Sequence, residues 1–382
     1  MIHESTPQNS SADISKIIDE VRAKYAPDKR TAIFNISYTP GEKIAYLSGE
    51  TNIPEAKKEL LTLLQKSNVE DQIELLPLKE LGTKVFGVIN LSVVNVRTKP
   101  ENSAEIATQV LLGSKLKILK SKGEWFLIQC EDDYIGWIDD DGVSLMDKQK
   151  YEEWNKAKKV SVIVPLVFAY SKENVNSTPV SDVVLGDILK LISKQEGFAK
   201  VEFPDGRIAF IPDDQIQDYE EWLNSRHPTY DTIIRTANMM MGIPYVWGGT
   251  SIKGLDCSGF TKIVYQLNGV QLPRDASQQV YVGELVDTQY GFDNLLPCDL
   301  LFFGTKDHNS GKEKITHVAI YIGNSEFIHA SGRVRINSLD NTKNNFAEGR
   351  FKSFIKAKRI LSSLGKNGVK LIKDLNINEE VK

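Results

Sequence analysis

The stretch Gly242–Gly269, GIPYVWGGTSIKGLDCSGFTKIVYQLNG, decides how the C-terminal part of this 382-residue chain folds. Its glycine-rich middle, Gly248 to Gly254, reads as loop. Beyond the loop, Phe260, Val264 and Leu267 recur on one side of a helix running from Cys257 to Leu267. Upstream, Thr232 to Met241 reads as a second helix that stops at Gly242. Cys257 therefore falls at a helix N-terminus. Unpaired backbone N–H groups and the positive end of the helix dipole favour a thiolate there, and the same N–H groups can hold the oxyanion of a tetrahedral intermediate.

A thiol nucleophile needs a base, and Ile315–Ser331, ITHVAIYIGNSEFIHAS, supplies one. Val318, Ile320 and Ile322 alternate with His317, Ala319 and Tyr321, which is a strand with His317 on one face. Gly323-Asn324 is a turn signal, and Phe327, His329 and Ser331 share a face of the returning strand. A hairpin centred on Gly323 would pair His317 directly with His329. His329 could then orient and polarise His317 as the third member of a triad does. Each part has an ordinary reading: a cysteine at a helix start is usually structural, and two histidines on one sheet face can be a satisfied polar pair. The joint pattern is far more specific.

That joint pattern resembles the NlpC type of papain-like cell-wall cysteine peptidases. The resemblance rests on PYVWGG, LDCSGF, LPRDASQQ, PCDLLFF, THVAIYIG and FIHAS, in that order between about Thr229 and Ile360. It implies Cys257 as nucleophile, His317 as general base and His329 as third polar residue. It also implies a role for the Tyr245 hydroxyl at the oxyanion, beside the Cys257 backbone N–H.

Ahead of this domain the chain repeats itself. A shift of 73, the step from Gly113 to Gly186, lays Leu116 on Leu189, Ile118 on Leu191, Trp125 on Phe198, Trp137 on Phe210 and Asp140 on Asp213. Both copies read as short strands separated by turns, as small barrels do. The first copy, VNVRTKPENSAEIATQVLLGSKLKIL followed by GEWFLIQCEDDYIGWI, resembles the bacterial SH3-like domain; the second is worn, with FAYSK and IAFI. Before the repeat lies a small α+β unit. Ile14, Ile17, Ile18, Val21 and Tyr25 have helical spacing, Thr31–Tyr38 and Lys43–Leu47 read as strands, Pro54 opens a second helix, and Gln72–Leu76 forms a last strand. The expected architecture is multidomain: an N-terminal α+β domain over 1–82, SH3-like β-barrels over 83–147 and 148–224, and an α+β papain-like catalytic domain over 225–382. The linker around Asp218 to Asn224 reads as a helix.

The whole chain is similar to the YkfC-like γ-D-glutamyl-L-diamino acid peptidases. These cut free muropeptides between γ-D-glutamate and the diamino acid, releasing L-Ala-γ-D-Glu. The resemblance implies that the first barrel closes the substrate pocket, with Glu105 and Tyr134 at ligand-facing positions; the equivalent Thr178 and Arg207 of the second copy cannot form such an acid–tyrosine pair. A free L-alanine presents an ammonium, which an acid can bind by a charge-assisted hydrogen bond. Asp256 fits that role and is equally a good N-cap. Ser258 and Ser277 are candidate donors to the D-glutamate carboxylate. Arg274 is left out of the set, because an arginine is most often exposed. The polar stretch Lys306–Lys314 reads as a loop on the leaving-group side. The same Cys/His set could also serve an endopeptidase, an amidase or an acyltransferase, or stand in a non-catalytic wall-binding protein.

Composition narrows the field. A formal net charge of −4 argues against a general nucleic-acid binder. Three cysteines, Cys130, Cys257 and Cys298, form no C-x-x-C unit and no zinc spacing, so neither metal nor cofactor is expected. Small peptidoglycan-derived peptides are the expected partners, with no membrane span. The opening MIHESTPQNSSADIS lacks the features of a signal peptide. The expected compartment is the cytoplasm, or the periplasm or exterior if a leader has been removed.

Overall fold

The computed structural model describes residues 11–41, 44–307 and 309–375. Lys43 at the start of one expected strand, His308 in the polar loop, most of the opening MIHESTPQNSSADIS and the tail beyond Leu375 lie outside the described residues.

The N-terminal unit runs helix Ser11–Tyr25, strands Phe34–Thr39 and Ala45–Thr51, helix Pro54–Leu63 and strand Val69–Leu75. The first two strands pair antiparallel and the last two parallel. The crossover helix between the parallel pair carries Leu60, one of several residues that join Ile14, Ile18 and Val21 in a single core.

The repeat appears as two seven-stranded antiparallel sheets. The first comprises Phe86–Ile89, Val93–Arg97, Ile106–Leu111, Lys115–Lys122, Trp125–Cys130, Ile135–Asp139 and Val143–Met146. Every strand of the second sheet, from Lys159–Val162 to Ile216–Asp218, begins 73 residues after its counterpart, and both sheets have the same strand order. The expected barrels need a correction, because neither ladder closes. One end strand of each sheet is held by the last unit of the chain instead. Gln109, on the edge strand Ile106–Leu111, accepts from the Thr250 hydroxyl at 2.7 Å through its carbonyl and receives Thr250 N–H on its side chain at 3.1 Å. On the second sheet's edge, Asp182 pairs with Lys253 at 2.5 Å. The two sheets also lock together: Ile188 N–H donates to Leu112 O at 3.0 Å. A Cβ at Gly113, where φ is +82°, would lie 2.2 Å from Ile188 O, so only glycine allows this approach.

The last unit packs helices Tyr230–Met239 and Cys257–Gln266 on a six-stranded antiparallel sheet. Its order is Glu284–Val286, Phe354–Arg359, Leu300–Lys306, Glu313–Gly323, Glu326–Ser331, Arg333–Ser338. Sheet residues alternate between two cores, with Phe302, Val318 and Ile320 under the Cys257 helix and Phe303, Ala319 and Tyr321 on the other face. The C-terminal stretch adds Lys370–Leu371 as a partner of Val270–Gln271.

The histidine hairpin also differs from expectation. Asn324 and Ser325 both have positive φ, giving a two-residue turn, and a bulge follows at Ile322. The register therefore pairs Tyr321 with Phe327 and Ile320 with Ile328. Continued, it sets His317 beyond direct opposition to His329, and the two meet on the diagonal.

Candidate active site

Asp256 caps helix Cys257–Gln266 through Gly259 N–H at 2.7 Å, so Cys257 is its first residue. The backbone N–H groups of Val318 and Ser258 favour a negative charge on the Cys257 sulfur, which places the sulfur near the strand carrying His317. Cys257 is only 8% exposed. Burial, reinforced by the adjacent Asp256 charge, pushes its thiol up to about 11, against the opposing pull of the two N–H groups and of Arg274. The helix start was expected to favour a thiolate; desolvation outweighs it and the resting thiol is neutral.

His317 Nε2 lies 2.7 Å from His329 Nδ1, and His329 Nε2 lies 3.0 Å from Asn337 Oδ1. Asn337 donates its Nδ2 to Asn345 O at 2.9 Å, which fixes its Oδ1 as the acceptor. His329 must then carry its proton on Nε2 and accept on Nδ1. His317 in turn donates from Nε2, leaving His317 Nδ1 unprotonated and able to take a proton. This tautomer assignment follows from the hydrogen-bond network. Burial lowers His317 well below its ordinary range, assisted by the charges of Arg350 and His329. Burial likewise lowers His329 to about 4, against the raising effect of its bond to Asn337. Both imidazoles are neutral at pH 7.

Tyr245 is half-buried near Cys257. Burial, then the charges of Cys257 and Asp256, push its phenol up to about 12, so it stays a proton donor. Asp256 is held by Arg274 through two bonds, Nη2–Oδ2 at 2.6 Å and Nη1–Oδ1 at 3.1 Å, and also accepts from Gly248 N–H at 3.0 Å. Arg274, expected to be exposed, is 1% exposed and further donates to Ser258 Oγ at 3.0 Å and to Thr108 Oγ1 of the first sheet at 2.8 Å. Ser258 is buried in this cluster. Ser277 accepts from Arg30 Nη1 at 2.9 Å. Tyr134 donates to Asp275 Oδ2 at 3.2 Å, and Glu105 accepts from Trp247 Nε1 at 2.7 Å. The first sheet thus reaches the catalytic unit through Thr108, Tyr134 and Glu105. Arg207 of the second sheet instead binds Asn90 O at 2.6 Å.

Sequence reasoning missed Asn337, Arg30 and Arg350. Asn337 shares a strand face with Arg333 and Arg335, and its polarity beside the histidine hairpin was a usable signal. Arg350 sits 5.8 Å from the Phe303 ring, itself 5.8 Å from the His317 ring, and among the described residues it has no carboxylate partner. No local pattern announces it.

These shifts set a pH dependence. Chemistry needs a thiol and a neutral imidazole, so the acid limb of kcat/KM should lie below the ordinary histidine value of about 6.5. Stability should follow the same groups. The folded pKa values of His317 and His329 are depressed, so their contribution is complete above about 6.5 and is lost as pH falls below it, for His329 down to about 4. A thermal midpoint unchanged between pH 7 and pH 4.5 would contradict it.

The NlpC/P60 family matches residues 242–352, and the bacterial dipeptidyl-peptidase SH3 domain matches residues 96–143. A Bacillus cereus (strain ATCC 10987 / NRS 248) protein named gamma-D-glutamyl-L-lysine dipeptidyl-peptidase is 30% identical over 237 residues, 60% of this chain and 68% of that protein. Dipeptidyl-peptidase 6 of Lysinibacillus sphaericus is 26% identical over 271 residues, 66% of this chain and 91% of that protein. The crystal structure of an NlpC/P60 family protein from Bacillus cereus ATCC 10987 aligns with a TM-score of 0.61 at 25% identity, covering 72% of this chain and 99% of that one. With a cysteine at the capped helix start and a histidine relay ending in Asn337, the chain belongs to the NlpC/P60 family of cysteine peptidases.

Proposed function

We propose that this peptidase hydrolyses the amide between γ-D-glutamate and a diamino acid in peptidoglycan-derived peptides with a free N-terminal L-alanine, releasing L-Ala-γ-D-Glu for recycling. The observation that carries the reading is the wall that the first sheet sets against the catalytic unit, where Tyr134 and Glu105 are tied to it through Asp275 and Trp247. The names of the relatives support the same bond class.

His317 Nδ1 takes the Cys257 proton as the sulfur attacks the γ-carbonyl carbon. The Cys257 N–H and the Tyr245 hydroxyl bind the oxyanion. His317 then protonates the leaving amine, with His329 and Asn337 holding the ring. Water, deprotonated by His317, releases the dipeptide from the thioester. The ammonium of L-alanine binds among Tyr134, Glu105 and Asp256, and Ser258 and Ser277 face the D-glutamate carboxylate. Asp256 shares its charge with Arg274, so Glu105 and the Tyr134 oxygen provide more of the attraction. An acylated amine has no charge to offer this wall, which makes the enzyme an exopeptidase.

The test is mass spectrometry of purified protein with L-Ala-γ-D-Glu-meso-diaminopimelate, its L-lysine analogue and both N-acetylated forms. Release of L-Ala-γ-D-Glu from the free forms alone is expected. Equal cleavage of acetylated peptides would remove the ammonium subsite and favour an endopeptidase. With the free forms, kcat/KM should also decline above pH ~8, where a peptide amine loses its proton.

A further inference from the structure

Arg30 belongs to the N-terminal α+β unit, yet its guanidinium ends on the catalytic unit. Asp28 holds it in plane, accepting from Nε at 2.8 Å and from Nη2 at 2.7 Å. Nη1 reaches Asp275 Oδ2 at 2.7 Å and Ser277 Oγ at 2.9 Å. The same loop is fixed on both sides. Arg30 O accepts from Ile135 N–H of the first sheet at 2.7 Å, and Asp28 Oδ2 accepts from Gln278 Nε2 at 2.8 Å. The loop around Arg30 is therefore wedged between Tyr134-Ile135 and Asp275–Gln278.

The donor directions give this wedge a chemical meaning. A hydroxyl can donate one hydrogen bond and accept others. Ser277 Oγ accepts from Arg30, so its hydrogen is left to donate to a third group. Tyr134 gives its only hydrogen to Asp275 Oδ2, so it presents an oxygen lone pair to anything else. Asp275 is in turn held by Arg30. One guanidinium thus turns two ambivalent hydroxyls into a fixed donor and a fixed acceptor. A fixed donor beside a cation suits a carboxylate, and a fixed acceptor suits an ammonium.

We infer that Arg30 is a positioning residue through which the N-terminal domain sets specificity: it directs Ser277 to a substrate carboxylate and Tyr134 to a substrate ammonium, selecting peptides that carry both charges. This rests on the function proposed above, and extends it by giving the N-terminal domain a part in recognition.

The experiment compares full-length wild type, Arg30→Ala and Arg30→Lys on three peptides. These are the free tripeptide, the same tripeptide with the D-glutamate α-carboxylate converted to carboxamide, and the N-acetyl tripeptide. Wild type should prefer carboxylate over carboxamide by about tenfold or more in kcat/KM. Arg30→Ala should raise KM for the carboxylate peptide about tenfold, change kcat little, and bring the carboxylate-to-carboxamide ratio close to one. Arg30→Lys keeps a charge and should restore part of that ratio. A merely structural role would lower activity on all peptides alike, so an unchanged ratio in Arg30→Ala overturns the inference while leaving the proposed function standing. If wild type cleaves none of the peptides, the proposed function fails and the inference fails with it.

Discussion

Cys257→Ala should lower kcat/KM by about 10⁴-fold or more, with little change in fold stability. In the proposed mechanism the sulfur forms the acyl-enzyme, while the other members of the constellation bind or move protons. Its side chain is small and sits at the edge of the core, so truncation opens little space. His317→Ala should approach the same loss, since the buried thiol is held near pKa 11 and has no other base. Asn337→Ala should cost less, about 10- to 100-fold, by freeing the His329 tautomer rather than removing a reacting atom. Steady-state kinetics on the free tripeptide, with thermal melts of each variant, separate these cases. Residual Cys257→Ala activity near the wild-type level would exclude nucleophilic catalysis by this residue.

The hairpin shows how far local sequence carries the site. Alternation of Val318, Ile320 and Ile322 placed both histidines on one sheet face, and the structure keeps them there. The register depends on the turn. A centre at Gly323 looks natural from spacing, but positive φ at Asn324 and Ser325 and the bulge at Ile322 shift the pairing. The histidines still meet because diagonal neighbours on a sheet face are within reach of long side chains. The repeat was legible for a related reason: apolar alternation survives where surface residues have diverged, so a constant offset recovered strands in both sheets. Closure was not legible, because it depends on what lies along the edge strands. Arg30 and Arg274 reach partners 245 and 166 residues away, and Arg350 acts through space alone, so no period in their neighbourhood records those partners.

Arg274→Met should be the most damaging single change to stability, at about 3–5 kcal/mol. The guanidinium is fully enclosed and makes four hydrogen bonds, to both Asp256 oxygens, Ser258 Oγ and Thr108 Oγ1. Methionine fills much of the stem's volume, so the loss comes from stranding the Asp256 carboxylate in a buried site rather than from a cavity. Burying that ion pair was itself costly, and replacing both partners could be nearly neutral; removing one is not. Arg274→Met with Asp256→Asn should therefore recover part of the loss, and the double-mutant cycle measures the coupling. Thr108 belongs to the first sheet, so denaturation of Arg274→Met should also loosen the docking of that sheet, seen as separated transitions where wild type gives one. The Cys257 thiol provides an independent readout. Asp256 pushes it up and Arg274 draws it down, so the single variant should alkylate with iodoacetamide more slowly at a given pH, with the profile displaced to higher pH. A displaced profile with unchanged stability would mean that Asp256 finds another partner; neither effect would mean that the pair does not form in solution.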